Sequence, residues 1–213
     1  MRSKNGQGVV LEKILSENNK RYLERVKLYK NFGYDIEEER KFILEKSQPL
    51  YGDILEVGTG KGYFTTVLAK EGYKFVSIDI SEQEQKFAEL NIRHLGLENH
   101  VDFKVENAEQ FSFEDKSFDI VLSVNMIHHI TNISKIIDEF VRVVSFEGKI
   151  ILSDFTKAGL DVVDKVHRSE GRRHGFTKAS MAEAEEHLKE RNFTVEKYRS
   201  NFQEILIGYH PIL

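Results

Sequence analysis

The residues with the clearest chemical potential form a glycine-rich loop at residues 54–69. Gly58, Gly60 and Gly62 separate a short apolar run from a helical pattern. Glycines in such a loop let the backbone turn sharply and let a ligand touch it without a Cβ in the way. The spacing is G-x-G-x-G, one residue shorter than the dinucleotide pattern G-x-G-x-x-G. Lys61 is followed by Gly62 and not by Ser or Thr, which excludes a Walker A loop.

Two acidic residues flank this loop at positions that suggest a ligand chemistry. Glu56 stands two residues before the first glycine, inside the predicted strand. A carboxylate there would repel a pyrophosphate and would suit a ligand carrying an ammonium and a sulfonium. Asp79 ends the next apolar run, about 20 residues after the loop, where an acid can accept hydrogen bonds from both ribose hydroxyls. The order strand, acid, glycines, helix, strand and acid makes a plain turn a poor explanation.

Histidines supply the candidates for proton transfer, because imidazole titrates near neutral pH. His128 and His129 follow a predicted strand, and His167 and His174 lie in a charged segment with Asp164. We consider His128, His167 and His174 as candidate catalytic residues. A loop-positioning role for His128 and a solvated helix around His167 and His174 are the simpler alternatives. Ligation of zinc, manganese or nickel by His167 and His174 is a further alternative.

Hydrophobic periodicity indicates alternating strands and helices from residue 53 onward. This alternation predicts an α/β, three-layer sandwich with a mostly parallel sheet. The last two strands are separated by a short turn at Ser200-Asn201, so they must form an antiparallel hairpin and bring the sheet to seven strands. Three helices are predicted in the first fifty residues, with a break at residues 31–33. The predicted strands are 54–57, 74–80, 101–105, 119–124, 149–155, 194–199 and 203–209, and the helices between them include 63–70, 82–94 and 133–144.

Composition limits the class of protein. The chain has 213 residues, a formal net charge of −4 and no cysteine. Zero cysteine excludes disulfides and thiolate zinc sites, and the balanced charge argues against a nucleic-acid-binding surface. No apolar stretch reaches the length of a signal peptide or a membrane span, so we expect a cytoplasmic protein.

We expect a single domain made of an N-terminal helical cap (1–50), a binding core (51–155), a helical insertion over the active site (156–192) and a terminal hairpin (193–213).

Together these motifs resemble the class I S-adenosylmethionine-dependent methyltransferases, whose fold is Rossmann-like. Residues 56–62 resemble the first motif of that family, and Asp79 matches its ribose-binding acid. Asn107-Ala108 resembles the Asp-Ala pair beside the adenine, with Asn in place of Asp. Residues 118–129 and 141–154 are similar to the fourth-strand and fifth-strand segments. In the latter, Phe146-Glu-Gly148 stands where the family commonly has Pro-Gly-Gly, a departure expected to affect only a turn.

The resemblance implies S-adenosylmethionine as cofactor, S-adenosylhomocysteine as product and a small-molecule methyl acceptor. An Asn-x-x-His-His sequence is common in the family, here with Asn125. A non-catalytic module that binds the cofactor is the main alternative, and the glycine spacing and Glu56 argue against a nicotinamide-dependent oxidoreductase. No nucleic acid or membrane partner is expected, and the oligomeric state is left open, with a homodimer among the alternatives. The cofactor-binding residues implied are Glu56, Val57, Gly58, Thr59, Gly60, Gly62, Asp79, Ile80, Asn107, Ala108 and Asn125.

Overall fold

The computed structural model describes residues 4–173, 175 and 177–211, which build a seven-stranded sheet between layers of helices. The strands are β1 (Ile54–Val57), β2 (Phe75–Asp79), β3 (Val101–Val105), β4 (Phe118–Val124), β5 (Val144–Phe155), β6 (Thr194–Arg199) and β7 (Gln203–Tyr209). The helices are α1 (Lys4–Asn31), α2 (Ile36–Lys46), α3 (Tyr63–Lys70), α4 (Glu82–His94), α5 (Ile133–Val143), α6 (Lys157–Ser169) and α7 (Met181–Glu190).

The strand order is β3-β2-β1-β4-β5-β7-β6, and it confirms the predicted Rossmann-like architecture. Strands β1 to β5 pair in parallel, whereas β7 runs antiparallel to both β5 and β6. Both faces of the central strands are buried, as continuous apolar runs predict, whereas the edge strands β3 and β6 are largely exposed. In β5, Leu152 packs on the face covered by α5 and α7, and Ile151 packs on the face covered by α2, α3 and α4.

The N-terminal prediction of three helices is wrong, because the structure has two. Helix α1 runs unbroken over 28 residues, and only then does the turn at Gly33 separate it from α2. The polar stretch between Leu15 and Tyr22 suggests a break in the apolar pattern. It contains neither glycine nor proline, and its lysine, arginine and glutamate residues favour helix. Apolar residues near the start of α1 also stay in solvent, since Val9 is 67% exposed.

Strand β5 starts five residues earlier than predicted, and this changes the interpretation of Phe146-Glu-Gly148. Phe118 pairs with Val144 and Ile120 with Lys149, so β4 advances two residues (118 to 120) while β5 advances five (144 to 149). The segment is therefore a bulge inside the strand and not a turn before it. A Cβ on Gly148 would lie 2.5 Å from the Asp119 carbonyl oxygen, which explains why the bulge needs a glycine there.

Helices α1, α2 and α6 cover the carboxyl end of the sheet. They share an apolar cluster whose buried members include Tyr29, Tyr34, Ile36 and Val163. Helix α7 packs instead against α5 and the strands of the hairpin. No helix within the described part of the chain is long and apolar enough to cross a membrane.

Candidate functional site

A cavity of about 730 Å³ opens where β1, β2, β4 and β5 end, beneath α1, α2 and α6. Open α/β sheets bind ligands at this edge, because the loops that follow parallel strands meet there. Every residue expected to bind the cofactor lines the cavity except Gly62. His128, His129 and His167 line it as well, whereas His174 lies outside the described residues.

The glycines of the loop have two different functions. Gly60 donates its N–H to Asp79 Oδ2 at 2.7 Å, has φ +49° and would carry a Cβ into open space. The backbone at Gly60 is therefore accessible to a ligand in the cavity. Gly62 has φ +76°, and its Cβ would lie 2.7 Å from the Cβ of Ala88. Gly62 thus allows α3 and α4 to approach each other and does not face the cavity.

Glu56 is a buried carboxylate at the floor of the cavity, only 2% exposed. Its Oε2 accepts hydrogen bonds from Ser77 Oγ at 2.6 Å and Thr65 Oγ1 at 2.7 Å. Burial nevertheless raises the pKa of Glu56 to about 7, because desolvation outweighs the two hydroxyl donors. A cationic group bound beside it would favour the ionised form.

Arg40, on α2, is a site residue that the sequence interpretation missed. It is 5% exposed and lines the cavity, and its guanidinium donates to the Tyr34 hydroxyl at 3.0 Å. Its Nε has no hydrogen-bond partner among the residues that the structure describes. The positive charge of Arg40 favours the ionised form of Glu56 and so opposes part of the rise in the Glu56 pKa that burial causes. Arg40 and Glu56 thus present opposite charges that match the carboxylate and ammonium of an amino acid group.

Asp79 and the residues after it form the next part of the wall. Besides Gly60, Asp79 holds the N–H of Ser81 with its Oδ1 at 2.8 Å, which orients the carboxylate at the mouth of the cavity. Ile80 is 71% exposed and lines the same mouth, so it offers apolar surface to a planar base. Asn107, which follows the neighbouring strand β3, also lines the cavity, and its Oδ1 accepts from the backbone N–H of Glu109 at 2.9 Å.

Asn125, directly after β4, combines backbone strain with an unpaired polar atom. Its φ is +59°, a left-handed conformation that costs free energy for a residue with a side chain. Its N–H donates to the Ser153 carbonyl at 2.8 Å, which fixes the turn. Its Oδ1 is buried without a hydrogen-bond partner in the described ranges. An unpaired carbonyl-type oxygen in a cavity wall is suited to accept a hydrogen bond from a ligand.

His128 forms a buried pair with Asp154, the carboxylate near the end of β5. The Nδ1 of His128 lies 2.7 Å from Asp154 Oδ1, and the His128 backbone N–H donates to Oδ2 at 2.7 Å. Asp154 therefore accepts the Nδ1–H and leaves the lone pair on Nε2. Sequence reasoning assigned no role to Asp154, although it stands beside His128 because β4 and β5 are parallel neighbours.

His129 and His167 lie on the same side of the cavity. Partial burial and the neighbouring His128 lower the pKa of His129. Partial burial and then the charges of Arg25 and Arg172 lower the pKa of His167. The Nε2 of His167 lies 3.2 Å from the Arg25 guanidinium, so it accepts a hydrogen bond from it.

The metal site predicted from His167 and His174 finds no support in this geometry. In the part of the chain that the structure describes, no three His, Asp or Glu side chains are grouped as metal ligands. Arg25 also occupies the His167 nitrogen that would bind a cation. Two arginines beside His167 disfavour a divalent ion there, and His174 lies outside the described residues.

Comparisons with known proteins agree with this geometry. Residues 55–152 match a family model described as "Methyltransferase domain". Norajmaline N-methyltransferase from Rauvolfia serpentina is 30% identical over 109 residues, which cover 51% of this chain and 37% of that protein. The chain spans less than half the length of the first three curated relatives it matches, 37–47% of each.

Solved structures share the fold. The PH0226 protein from Pyrococcus horikoshii OT3 superposes with a TM-score of 0.65 at 22% identity, over 89% of this chain and 91% of that one. A SAM-dependent methyltransferase from Aquifex aeolicus gives a TM-score of 0.62 at 21% identity, over 79% and 88% of the two chains. The strand order, the glycine loop and the match of residues 55–152 together make the core of this chain similar to a methyltransferase domain, and its fold is shared with a solved SAM-dependent methyltransferase.

Proposed function

We propose that this protein binds S-adenosylmethionine in the cavity and transfers its methyl group to a small-molecule acceptor. The observation that carries the proposal is a single cavity in which the glycine loop, Glu56 and Asp79 form one wall and His128 lies on another. When bound, S-adenosylmethionine supplies an electrophilic methyl group on a sulfonium. The residues fit it: Glu56 and Arg40 suit its amino acid end, Asp79 suits ribose hydroxyls, and Ile80 suits adenine.

In this proposal the chain contributes mainly positioning and a proton acceptor. Holding an acceptor at attack distance lowers the barrier, and Phe155 and Val163 give the cavity wall apolar surface. His128 Nε2 would take the proton that the acceptor atom loses when it is methylated. Asp154 stabilises the resulting imidazolium through the Nδ1–H bond.

The test is an assay for S-adenosylhomocysteine release across a panel of small hydroxylated and amino compounds. We expect time-dependent release with at least one compound. His128→Ala should lower kcat by roughly 10²–10⁴-fold, with little change in cofactor Kd. His94→Ala, on the exposed side of α4, is the matched control and should behave as wild type. Cofactor binding without release from any compound would favour the non-catalytic binding module.

A further inference from the structure

Charged side chains are segregated across the cavity. The acidic residues lie in β1 and β2, at the start of α4 and after β3, on the side assigned to the cofactor. Three of the four arginines line the other side, formed by α1 and the segment after α6. The one lysine in the wall, Lys61, is neutralised by Glu84. This separation occurs in a chain whose net charge is −4, so the arginines are not a consequence of overall composition. The acids are Glu56, Asp79, Glu84, Glu106 and Glu109, and the arginines across from them are Arg25, Arg172 and Arg173. The fourth arginine of the wall, Arg40, lies on the cofactor side, where its charge acts on Glu56.

Arg25 and Arg172 already hold a carboxylate. The side chain of Arg25 is 13% exposed, and its Nη1 pairs with one oxygen of Glu170. Arg172 pairs with the other oxygen of the same carboxylate. The Arg25 Nη2 also contacts the Tyr29 hydroxyl at 3.5 Å and His167 Nε2 at 3.2 Å. Glu170 is itself absent from the cavity wall, whereas both arginines are part of it.

An aromatic wall connects Arg25 with the His128–Asp154 pair. The ring of His128 lies 5.5 Å from that of Phe155, which lies 5.8 Å from Tyr34. Tyr34 lies 5.8 Å from Tyr29, and the Arg25 guanidinium sits 5.4 Å from the centre of the Tyr29 ring. An acceptor with an apolar body would pack on Phe155, the partly exposed ring of this wall, with an anionic group at one end and its nucleophile at the other.

Tyr63 adds an unpaired donor on the same side. It lines the cavity, and its hydroxyl is buried without a hydrogen-bond partner in the ranges that the structure describes. The positive charge of Arg25 opposes the rise in the Tyr63 pKa that burial causes, so Arg25 and Tyr63 lie in the same part of the cavity. A phenol O–H next to a guanidinium is a suitable donor to an oxyanion.

We propose that the methyl acceptor is a small molecule with an apolar body and an anionic oxygen group, a carboxylate or a phosphate ester, bound by Arg25 and Arg172. The inference rests on the proposed function, since it assigns the acceptor of that site. Glu170 is the internal counter-ion of the two arginines, so it competes with an anionic acceptor for their N–H groups. Its removal should therefore strengthen anion binding, whereas a purely structural ion pair would be weakened by loss of either partner.

The test is calorimetric titration of the full chain saturated with S-adenosylhomocysteine. The probes are 4-hydroxybenzoate, its neutral amide 4-hydroxybenzamide, and phenyl phosphate. We expect one or both anions to bind at millimolar or lower concentration and the amide to bind at least tenfold more weakly. Comparison of 4-hydroxybenzoate with phenyl phosphate distinguishes a carboxylate ligand from a phosphate ligand.

Arg25→Gln should weaken anion binding roughly tenfold, and Glu170→Gln should tighten it. Arg168→Gln, in the last turn of α6 and 75% exposed, is the matched control and should change nothing.

Three results would overturn the anion site while leaving the proposed function intact. These are equal binding of the amide and the acid, weaker anion binding in Glu170→Gln, or no binding of either anion at millimolar concentration. Titration of each protein with S-adenosylhomocysteine alone separates the two claims. Retained cofactor binding in Arg25→Gln shows that the variant is folded, and absence of cofactor binding in the wild type would defeat the proposed function and the anion site together.

Discussion

At the scale of single residues, Glu56 and Asp79 face the same ligand with different electrostatics. Glu56 is buried and accepts only from hydroxyls, so its pKa rises to about 7. Asp79 accepts backbone N–H groups from Gly60 and Ser81, which hold it in place. The first carboxylate therefore responds to the charge of a ligand, and the second offers a pre-oriented acceptor.

The raised pKa of Glu56 predicts that cofactor affinity depends on pH. Below pH 7 the free protein carries a proton on Glu56, whereas a bound ammonium favours the carboxylate, so binding releases that proton. Affinity for S-adenosylhomocysteine should therefore rise between about pH 6 and 8, by at most about tenfold per pH unit. Titrations at these two pH values check it, and Glu56→Gln should flatten the dependence. Equal wild-type Kd values at both would contradict the assignment.

Asp79→Ala should weaken S-adenosylhomocysteine binding by about 1–3 kcal/mol, because two ribose hydroxyls lose their acceptor. Calorimetry measures the change, and thermal unfolding of the free variant reports the loss of the Gly60 and Ser81 contacts separately. Asp161→Ala, an exposed site on α6, serves as the control. An unchanged Kd would show that Asp79 does not bind the ribose.

At the scale of elements, the close approach of α3 and α4 depends on Gly62. Gly62→Ala places a Cβ 2.7 Å from the Cβ of Ala88 in addition to the cost of φ +76°. Gly72→Ala isolates the second effect, since Gly72 has φ +86° and open space around its Cβ position. In urea denaturation we expect about 1–2 kcal/mol of destabilisation for Gly72→Ala and more for Gly62→Ala. Equal losses would mean that the helices separate without cost.

Strand β5 is tied to the segment before β1 by Lys149. The side chain is 1% exposed, and its Nζ donates to the carbonyls of Ser47 and Pro49 at 2.7 Å each. Burial lowers the pKa of Lys149 to about 8. Lys149→Met keeps the apolar stem and removes both hydrogen bonds.

We expect Lys149→Met to lower the free energy of unfolding by about 1–3 kcal/mol, because two buried carbonyls lose their donor. Denaturation in urea at pH 7 measures it. Lys41→Met, at a side chain that is 77% exposed, is the control. A Lys149 variant as stable as wild type would show that water replaces the ammonium at the two carbonyls.

At the scale of the whole molecule, the sequence predicts the cofactor half of the cavity better than the acceptor half. The bounds of β1, β3, α3 and α4 follow from local signals, such as the Ser81 hydroxyl that accepts the Glu84 N–H at the start of α4. The glycine loop and Asp79 are close in the chain and obey a known spacing.

The acceptor half depends on contacts that no local pattern encodes, since Arg25 meets Glu170 across 145 residues. One residue of the cofactor half is hidden in the same way, because Arg40 acts on Glu56 from a helix outside the family motifs. The pairing of His128 with Asp154 could be predicted from the sequence, because His128 follows β4, Asp154 lies near the end of β5, and these two strands are parallel neighbours. The pairing of α1 with α6 was not, since it depends on tertiary packing.

The central claim, that the cavity is an S-adenosylmethionine site, is tested most directly by calorimetric titration of the full chain with S-adenosylhomocysteine and, separately, with NAD. The account predicts saturable one-to-one binding of S-adenosylhomocysteine and no heat of binding with NAD. Binding of NAD without binding of S-adenosylhomocysteine would contradict it.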